Sequence, residues 1–323
     1  MKKNLIEPEI ILPRDQLYLF GYKKYFNVFI KLFSTQKAPH AILLKGPKGI
    51  GKSTFIYHFT NYLLSKNNKE KYLINDFTIN IKNNNYNLVK NNSNQNFFLV
   101  NNNSLDQEIK IEQIRNLIKF LNKSTYSQDL KIIMIDNSED LNVNSSNALL
   151  KAIEEPSKNT HFFIVNNNSK KISDTIKSRC VEFKIFFTQE EKKAIFDKII
   201  KQYNINFKSN SSEDNLYFDT PGNHLKYLLT LDNKKISKSN HNLENILHFI
   251  EKYNKEKNPE ILYFISLFIE KFYHDLCLLN VNKINTYFYN NHKILKQLRD
   301  MKKYNLNEKN IFIWIKEVLC HES

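Results

Sequence analysis

Gly46-Pro47-Lys48-Gly49-Ile50-Gly51-Lys52-Ser53 holds three of the five glycines in this 323-residue chain. In a chain so poor in glycine, that clustering marks a loop whose backbone must turn tightly. The spacing G-x-x-x-x-G-K-[ST] is that of the phosphate-binding P-loop, in which backbone N–H groups converge on an anion. Lys52 would reach the β- and γ-phosphates, and the Ser53 hydroxyl would ligate Mg²⁺. The flanks agree: Ala41-Ile42-Leu43-Leu44 reads as a buried strand, and 54–64 as a helix whose N-terminal dipole end faces the phosphates. Gly46, Pro47, Lys48, Gly49, Ile50, Gly51, Lys52, Ser53 and Thr54 are therefore expected to bind ATP or ADP together with Mg²⁺.

Outward from this loop, short apolar runs recur at 42–44, 97–100, 132–135, 162–165 and 181–183, and helical patterns separate most of them. Continuous apolar strands alternating with helices point to a parallel sheet covered on both faces, an α/β fold. The helix before the third run is marked by Ile111, Ile114, Leu117, Ile118 and Leu121 at helical spacing. The Asn-rich segment 82–96 reads as a surface excursion without a packed core of its own. After Phe187 the strands stop. Helices are expected at 189–203 and 224–231, with polar breaks at 208–215 and 232–242. The rest is helical, with Leu243, Ile246, Leu247 and Ile250 on one face and Ile311, Phe312, Ile315, Val318 and Leu319 on another. The expected division is an α/β nucleotide domain at 1–186, a small helical lid at 187–235 and an all-α C-terminal domain at 236–323.

Of 48 basic residues only four are arginine (Arg14, Arg115, Arg179, Arg299), leaving 44 lysines and a formal net charge of +15. That charge has two readings: a surface for nucleic acid, or a compositional drift toward Lys and Asn spread over solvated faces. The pairs Lys23–Lys24, Lys170–Lys171 and Lys234–Lys235 read as solvated charge. Cys180, Cys277 and Cys320 lie far apart, which argues against zinc and a disulfide framework and suits a reducing cytoplasm. The first eight residues have no apolar core of signal-peptide length. The most apolar stretch, 261–279, is interrupted by Glu270, Lys271, His274 and Asp275 and reads as a buried helix rather than a membrane span.

Lys131-Ile132-Ile133-Met134-Ile135-Asp136 is an apolar strand ending in an acid. In P-loop proteins such an aspartate holds Mg²⁺ at the strand's C-terminal edge, so Ser53 and Asp136 are the expected metal-binding pair. Many ATPases of this kind place a glutamate next, where it can polarise the attacking water. Here that position is Asn137, which cannot accept a proton, and Glu139 stands two residues on. Asn166 and Asn167 close the fourth strand, where either a polar γ-phosphate sensor or an ordinary strand-end turn fits.

The stretch Asn147-Ala148-Leu149-Leu150-Lys151-Ala152-Ile153-Glu154-Glu155-Pro156 resembles the N-A-L-L-K-x-L-E-E-P signature of AAA+ clamp-loader subunits, and Ser178-Arg179-Cys180 resembles their S-R-C motif. Pro39-His40-Ala41 and the spacing of the motifs also match, over roughly residues 15–185. The resemblance implies an AAA+ domain, a helical lid and a C-terminal helical collar for oligomerisation. It further implies a subunit that, with motor (gamma/tau) and delta subunits, helps place a sliding clamp on primed DNA.

Within the family the chain is most similar to the delta-prime branch rather than to the motor. Asn137 replaces a glutamate, and no cysteine cluster stands between the first helix and the second strand. Asp219-Thr220-Pro221-Gly222-Asn223-His224-Leu225 puts Gly222 where an ATP-sensing arginine would sit, and no long tail is expected after the collar. The resemblance makes Arg179 an arginine finger supplied in trans to a neighbour's ATP, against the plainer reading of a structural arginine paired with a carboxylate. Cys180 reads as a small buried hydrophobe and His40 as a packing or capping residue. The helix 145–155 is expected to be capped by Asn144 and Ser145, with Asn147 and Lys151 on a polar face open to DNA or a neighbour.

Two functions compete: a nucleotide-binding but hydrolysis-poor assembly subunit, and a self-sufficient ATPase motor, which Asn137 and Gly222 oppose. Polymerase chemistry would belong to the complex, and no membrane partner is expected.

Overall fold

The structure is a computed structural model that describes residues 12–102, 108–122, 130–168, 172–203, 220–231 and 242–322. Lys170, Lys171, Lys234, Lys235, Asp219, the break 208–215 and most of the linker 232–242 lie outside the described residues. The chain divides into two compact units, Met1–Leu229 and Thr230–Ser323.

In the first unit the five apolar runs become five strands: β1 (Ala41–Lys45), β2 (Phe97–Val100), β3 (Lys131–Ile135), β4 (Thr160–Asn166) and β5 (Val181–Lys184). They form one sheet in the order β2-β3-β4-β1-β5, and every pairing is parallel. Parallel neighbours need crossovers. The helices α1 (Lys23–Ser34), α2 (Lys52–Leu64), α3 (Asn84–Lys90), α4 (Ile111–Asn122), α5 (Val143–Glu154) and the short α6 (Asp174–Lys177) surround the sheet.

The two-residue period of a strand splits the side chains between two cores. Ile42, Leu44, Ile132, Met134, Phe163 and Val165 face one layer with Phe26 and Phe29 of α1, Phe55 and Phe59 of α2 and Tyr86 and Val89 of α3. Ala41, Leu43, Ile133, Ile135, Phe162 and Ile164 face the other, with Ile114 and Leu117 of α4, Leu149 and Ile153 of α5 and Ile176 of α6. The first layer is aromatic: Phe59 lies with its ring centroid 5.4 Å from Phe26, 5.3 Å from Phe29 and 5.1 Å from Phe33.

Three local expectations are corrected. The Asn-rich segment carries α3, whose Tyr86 and Val89 are buried in the main core. Its asparagines supply turns and a cap, Asn83 Oδ1 accepting from the Asn85 N–H at 2.8 Å, while two apolar residues suffice to dock the helix. Helix α5 begins at Val143, and its cap is Asn142, which accepts from the Ser145 N–H at 2.9 Å; Ser145 Oγ instead donates to Ile109 O at 2.7 Å. The lid helix α8 (Pro221–Leu231) starts three residues earlier than expected, with Pro221 at the first helical position, where a missing N–H costs nothing.

Helix α7 (Gln189–Gln202) follows β5 and opens on a capping box between Thr188 and Glu191. The second unit consists of α9 (Asn242–Glu256), α10 (Pro259–Leu279), α11 (Ile284–Tyr304) and α12 (Glu308–Glu322). Ile246 and Ile250 of α9, Ile265 and Ile269 of α10, Ile294 of α11 and Ile315 and Leu319 of α12 are fully buried. Among the described residues no helix is long and apolar enough to cross a membrane.

Replacing Phe59, wholly buried at the centre of the aromatic layer, with alanine should destabilise the first unit by about 3–5 kcal/mol. Urea unfolding of Phe59→Ala against the wild type measures it, and a loss under about 1 kcal/mol would mean that the layer collapses onto the cavity.

Candidate nucleotide-binding site

Because all strands run the same way, the segments that leave their C-terminal ends meet along one edge. The P-loop follows β1, Asp136 follows β3, Asn167 follows β4, and Asn102 lies two residues beyond β2. β1 has β4 on one side and β5 on the other. Strand order reverses there, the place where open α/β sheets bind ligands.

The loop takes the conformation its glycines were read to allow. Gly49 has φ +82° and Gly51 φ +99°, both in the left-handed region that penalises a side chain. Gly51 caps α2, so Lys52 is the helix's first residue, earlier than the sequence suggested. From beneath, the buried Tyr22 hydroxyl donates to Ile50 O at 3.1 Å, and its ring stacks on Phe55 at 5.0 Å.

Lys52 is buried, and its ammonium donates to Gly46 O at 2.7 Å and Pro47 O at 2.8 Å. Desolvation dominates its titration and lowers the pKa to about 8, opposed by the nearby charges of Asp136 and Glu139. Ser53 Oγ lies 3.0 Å from each carboxylate oxygen of Asp136. Burial raises the Asp136 pKa, while the Ser53 hydroxyl, the Asn137 N–H and Lys52 favour its charged form. A hydroxyl and a carboxylate converging beside a P-loop are the oxygen donors a hard divalent cation takes, so the residues present fit Mg²⁺ carried in with a nucleotide.

Asn137 does more than replace an acid. It adopts φ +56°, which asparagine tolerates better than glutamate does. Its side chain is one link in a carboxamide chain. Asn167 Nδ2 donates to Asn137 Oδ1 at 2.7 Å, Asn137 Nδ2 to Asn102 Oδ1 at 2.9 Å, and Asn102 Nδ2 to Asp140 Oδ2 at 2.8 Å. The network ties the ends of β2, β3 and β4 together. Asn166 is buried, and its amide lies 3.4 Å from Glu139 Oε2, which also accepts the Asn167 N–H at 3.2 Å. Both candidate sensors therefore contact Glu139, whose charge also reaches Lys52 and Asp136.

Sequence reasoning left Glu139 without a role. The short turn Ser138–Asp140 directly after β3 is the feature that brings it in. It also missed Thr220 and Asn223, which meet the P-loop from α8. Thr220 Oγ1 donates to Lys48 O at 2.7 Å, Asn223 Nδ2 to the same oxygen at 3.1 Å, and the Gly222 N–H to Gly49 O at 3.0 Å. A Cβ on Gly222 would sit 2.5 Å from Gly49 O, so a side chain there would force the loop and the helix apart.

Arg179 is elsewhere. Val181 pairs with Ile42 near the start of β1, so Arg179 precedes β5 at the N-terminal edge, with about 15 Å of strand between it and its own P-loop. Its Nε donates to Glu154 Oε1 at 2.6 Å, and Nη1 to Thr175 O at 2.9 Å. The Arg179–Glu154 ion pair is at the surface, the two side chains 38% and 44% exposed. Burial raises the neighbouring Cys180 thiol to about 11, which suits an inert packing residue. His40 packs against His161, its Nδ1 3.3 Å from Thr160 O.

A parallel sheet with a P-loop after β1, an acid after β3 and a helical lid on the loop has the architecture of an AAA+ domain. A family model described as DNA polymerase III, delta subunit, matches residues 21–189, more than half of the 323 residues, and the chain belongs to that family. A DNA polymerase III delta-prime subunit from Pseudomonas aeruginosa is 29% identical over 143 residues, 44% of this chain and 42% of that one. The delta-prime subunit of Buchnera aphidicola from Acyrthosiphon pisum is 28% identical over 181 residues, covering 55% and 52%. A gamma subunit from Buchnera aphidicola of Schizaphis graminum is 26% identical over 247 residues, covering 76% and 65%. The chain spans about half the length of the delta-prime relatives it matches.

The Lys52 titration has a defined sign. Its folded pKa lies below the ordinary lysine value of 10.5, at about 8, so between those values the unfolded chain holds more protons. This residue's contribution therefore becomes more favourable as pH rises through that window and is flat below it. Urea unfolding of wild type against Lys52→Met should show wild type gaining relative stability between pH 8 and pH 10, by about 2–3 kcal/mol. An unchanging difference would mean that the ammonium is as well solvated folded as unfolded.

Proposed function

We propose that this chain is a delta-prime-like subunit of a DNA polymerase III clamp loader, which binds ATP with Mg²⁺, hydrolyses it poorly and lends Arg179 to a neighbouring motor subunit. The observation that carries the reading is the separation of two groups. The P-loop and the Ser53–Asp136 pair stand at one edge of the sheet, and Arg179 at the other, on the surface. A guanidinium so placed is out of reach of its own nucleotide and open to another subunit's. Glu154 and the Thr175 carbonyl hold it in a fixed orientation, as a group meant to act on arrival must be.

Gly46 to Thr54 would cradle the phosphates, with Lys52 as the positive charge. Ser53 and Asp136 would hold the metal, which when bound neutralises phosphate charge. Asn166 or Asn167 would sense the γ-phosphate, and Glu139 accepts from both of them at the strand end. Poor hydrolysis follows from Asn137, whose amide is engaged on both sides by Asn167 and Asn102 and cannot take a proton from water. The proposed division is nucleotide domain 1–186, lid 187–235 and collar 236–323. The partners are the motor (gamma/tau) and delta subunits, the sliding clamp and, through the complex, primed DNA, all in the cytoplasm.

The test mixes the full chain with the motor and delta subunits of the same organism, clamp and primed DNA. Arg179→Ala should lower ATP turnover of the assembly on the order of 10³-fold, while Lys52→Ala leaves most of it. The reverse pattern, or rapid turnover by the isolated chain, would favour the self-sufficient motor.

A further inference from the structure

Three hydrogen bonds join Thr220 and the first turn of α8 to the two peptide units at the crest of the P-loop, and they make the lid part of the loop's own scaffold. Thr220 Oγ1 and Asn223 Nδ2 both donate to Lys48 O, and the Gly222 N–H donates to Gly49 O. Thr220 and Asn223 are 4% and 3% exposed. Donors that deep must be paired, so the arrangement is not a loose surface contact.

Peptide planarity carries the effect further. In a trans peptide the N–H points opposite to its C=O. Fixing Lys48 O toward the lid turns the Gly49 N–H away from it, and fixing Gly49 O does the same for the Ile50 N–H. These are two of the backbone donors from which a P-loop builds its anion nest. The steric facts are reciprocal. A Cβ on Gly49 would collide with the Thr220 hydroxyl and the Asn223 carboxamide, and one on Gly222 would lie 2.5 Å from Gly49 O. Each glycine is the space into which the other element fits.

We infer that Thr220, Gly222 and Asn223 are positioning residues for the phosphate site: the lid holds the Gly49 and Ile50 amides in their anion-binding orientation, so nucleotide affinity is set from the lid. The inference rests on the nucleotide reading above. In place of a side chain that reaches over to touch phosphate, this lid acts through backbone carbonyls on the far side of the loop. An arginine at Gly222 would require Gly49 and the start of α8 to move apart.

The experiment uses the full chain and N-methylanthraniloyl-ATP with Mg²⁺, followed by fluorescence. Thr220→Val keeps the shape and removes the donor, and should raise Kd about two- to tenfold, the net worth of one hydrogen bond. Thr220→Ser should restore wild-type affinity. Gly222→Ala should weaken binding more than Thr220→Val. Without nucleotide, the Gly49 and Ile50 amide resonances should move in Thr220→Val and return in Thr220→Ser, while the thermal midpoint stays near that of the wild type. Wild-type affinity in both Thr220→Val and Gly222→Ala would overturn the inference. If the wild type bound no nucleotide, the nucleotide reading would fall, and the amide resonances would still decide the clasp: unchanged Gly49 and Ile50 positions in Thr220→Val would overturn it, and positions that move and are restored by Thr220→Ser would support it.

Discussion

The parallel register of β1 between β4 and β5 governs everything else in the first unit. Lys45 stands beside Asn166 on one side and Lys184 on the other. The loop that leaves β1 therefore emerges between the ends of two strands, its Gly46 N–H bonded to Asn166 O at 3.2 Å. Slipping one pairing by a single residue would exchange the two core faces of that strand. It would also carry Asp136 or Asn167 away from the P-loop. Fully buried Ile42, Leu43 and Leu44 make such a slip prohibitive, so the placement of polar groups at the edge is fixed by the apolar residues behind them.

Much of this was legible in the chain because its signals were local. The five strands followed from runs of apolar residues, and the P-loop from its glycine spacing. The Ser53–Asp136 pair followed from the P-loop spacing and from an acid that closes an apolar strand. What escaped depended on partners distant in sequence. Glu139 meets Asn166 and Asn167 only because a short turn after β3 swings it under β4. Thr220 and Asn223 reach Lys48 across 172 and 175 residues of chain. Composition misled at α3, where a run of asparagines hid the two apolar residues, Tyr86 and Val89, that dock it.

Asn137 shows what a neutral amide can do directly after the strand-end acid. A glutamate there would carry a charge into the company of Asp136 and Glu139, in a backbone conformation that suits it poorly. The neutral amide instead both accepts and donates, and an ordered file of carboxamides runs from Asn167 to Asp140. Within such a file each bond polarises the next. The edge that would otherwise host a mobile base is thereby knitted together, in keeping with a subunit proposed to hold a shape more than to turn over.

The opposed locations of the P-loop and Arg179 impose a geometry on any assembly that uses both. A twofold pairing would have to gather both edges into one shared patch, each molecule's guanidinium against the other's phosphates. A head-to-tail succession asks only that one molecule's leading edge meet the next one's trailing edge. Such a procession has a front and a back, and an arc of it that stops short of closure leaves one end offering an arginine that no successor receives, or a loop that no predecessor serves.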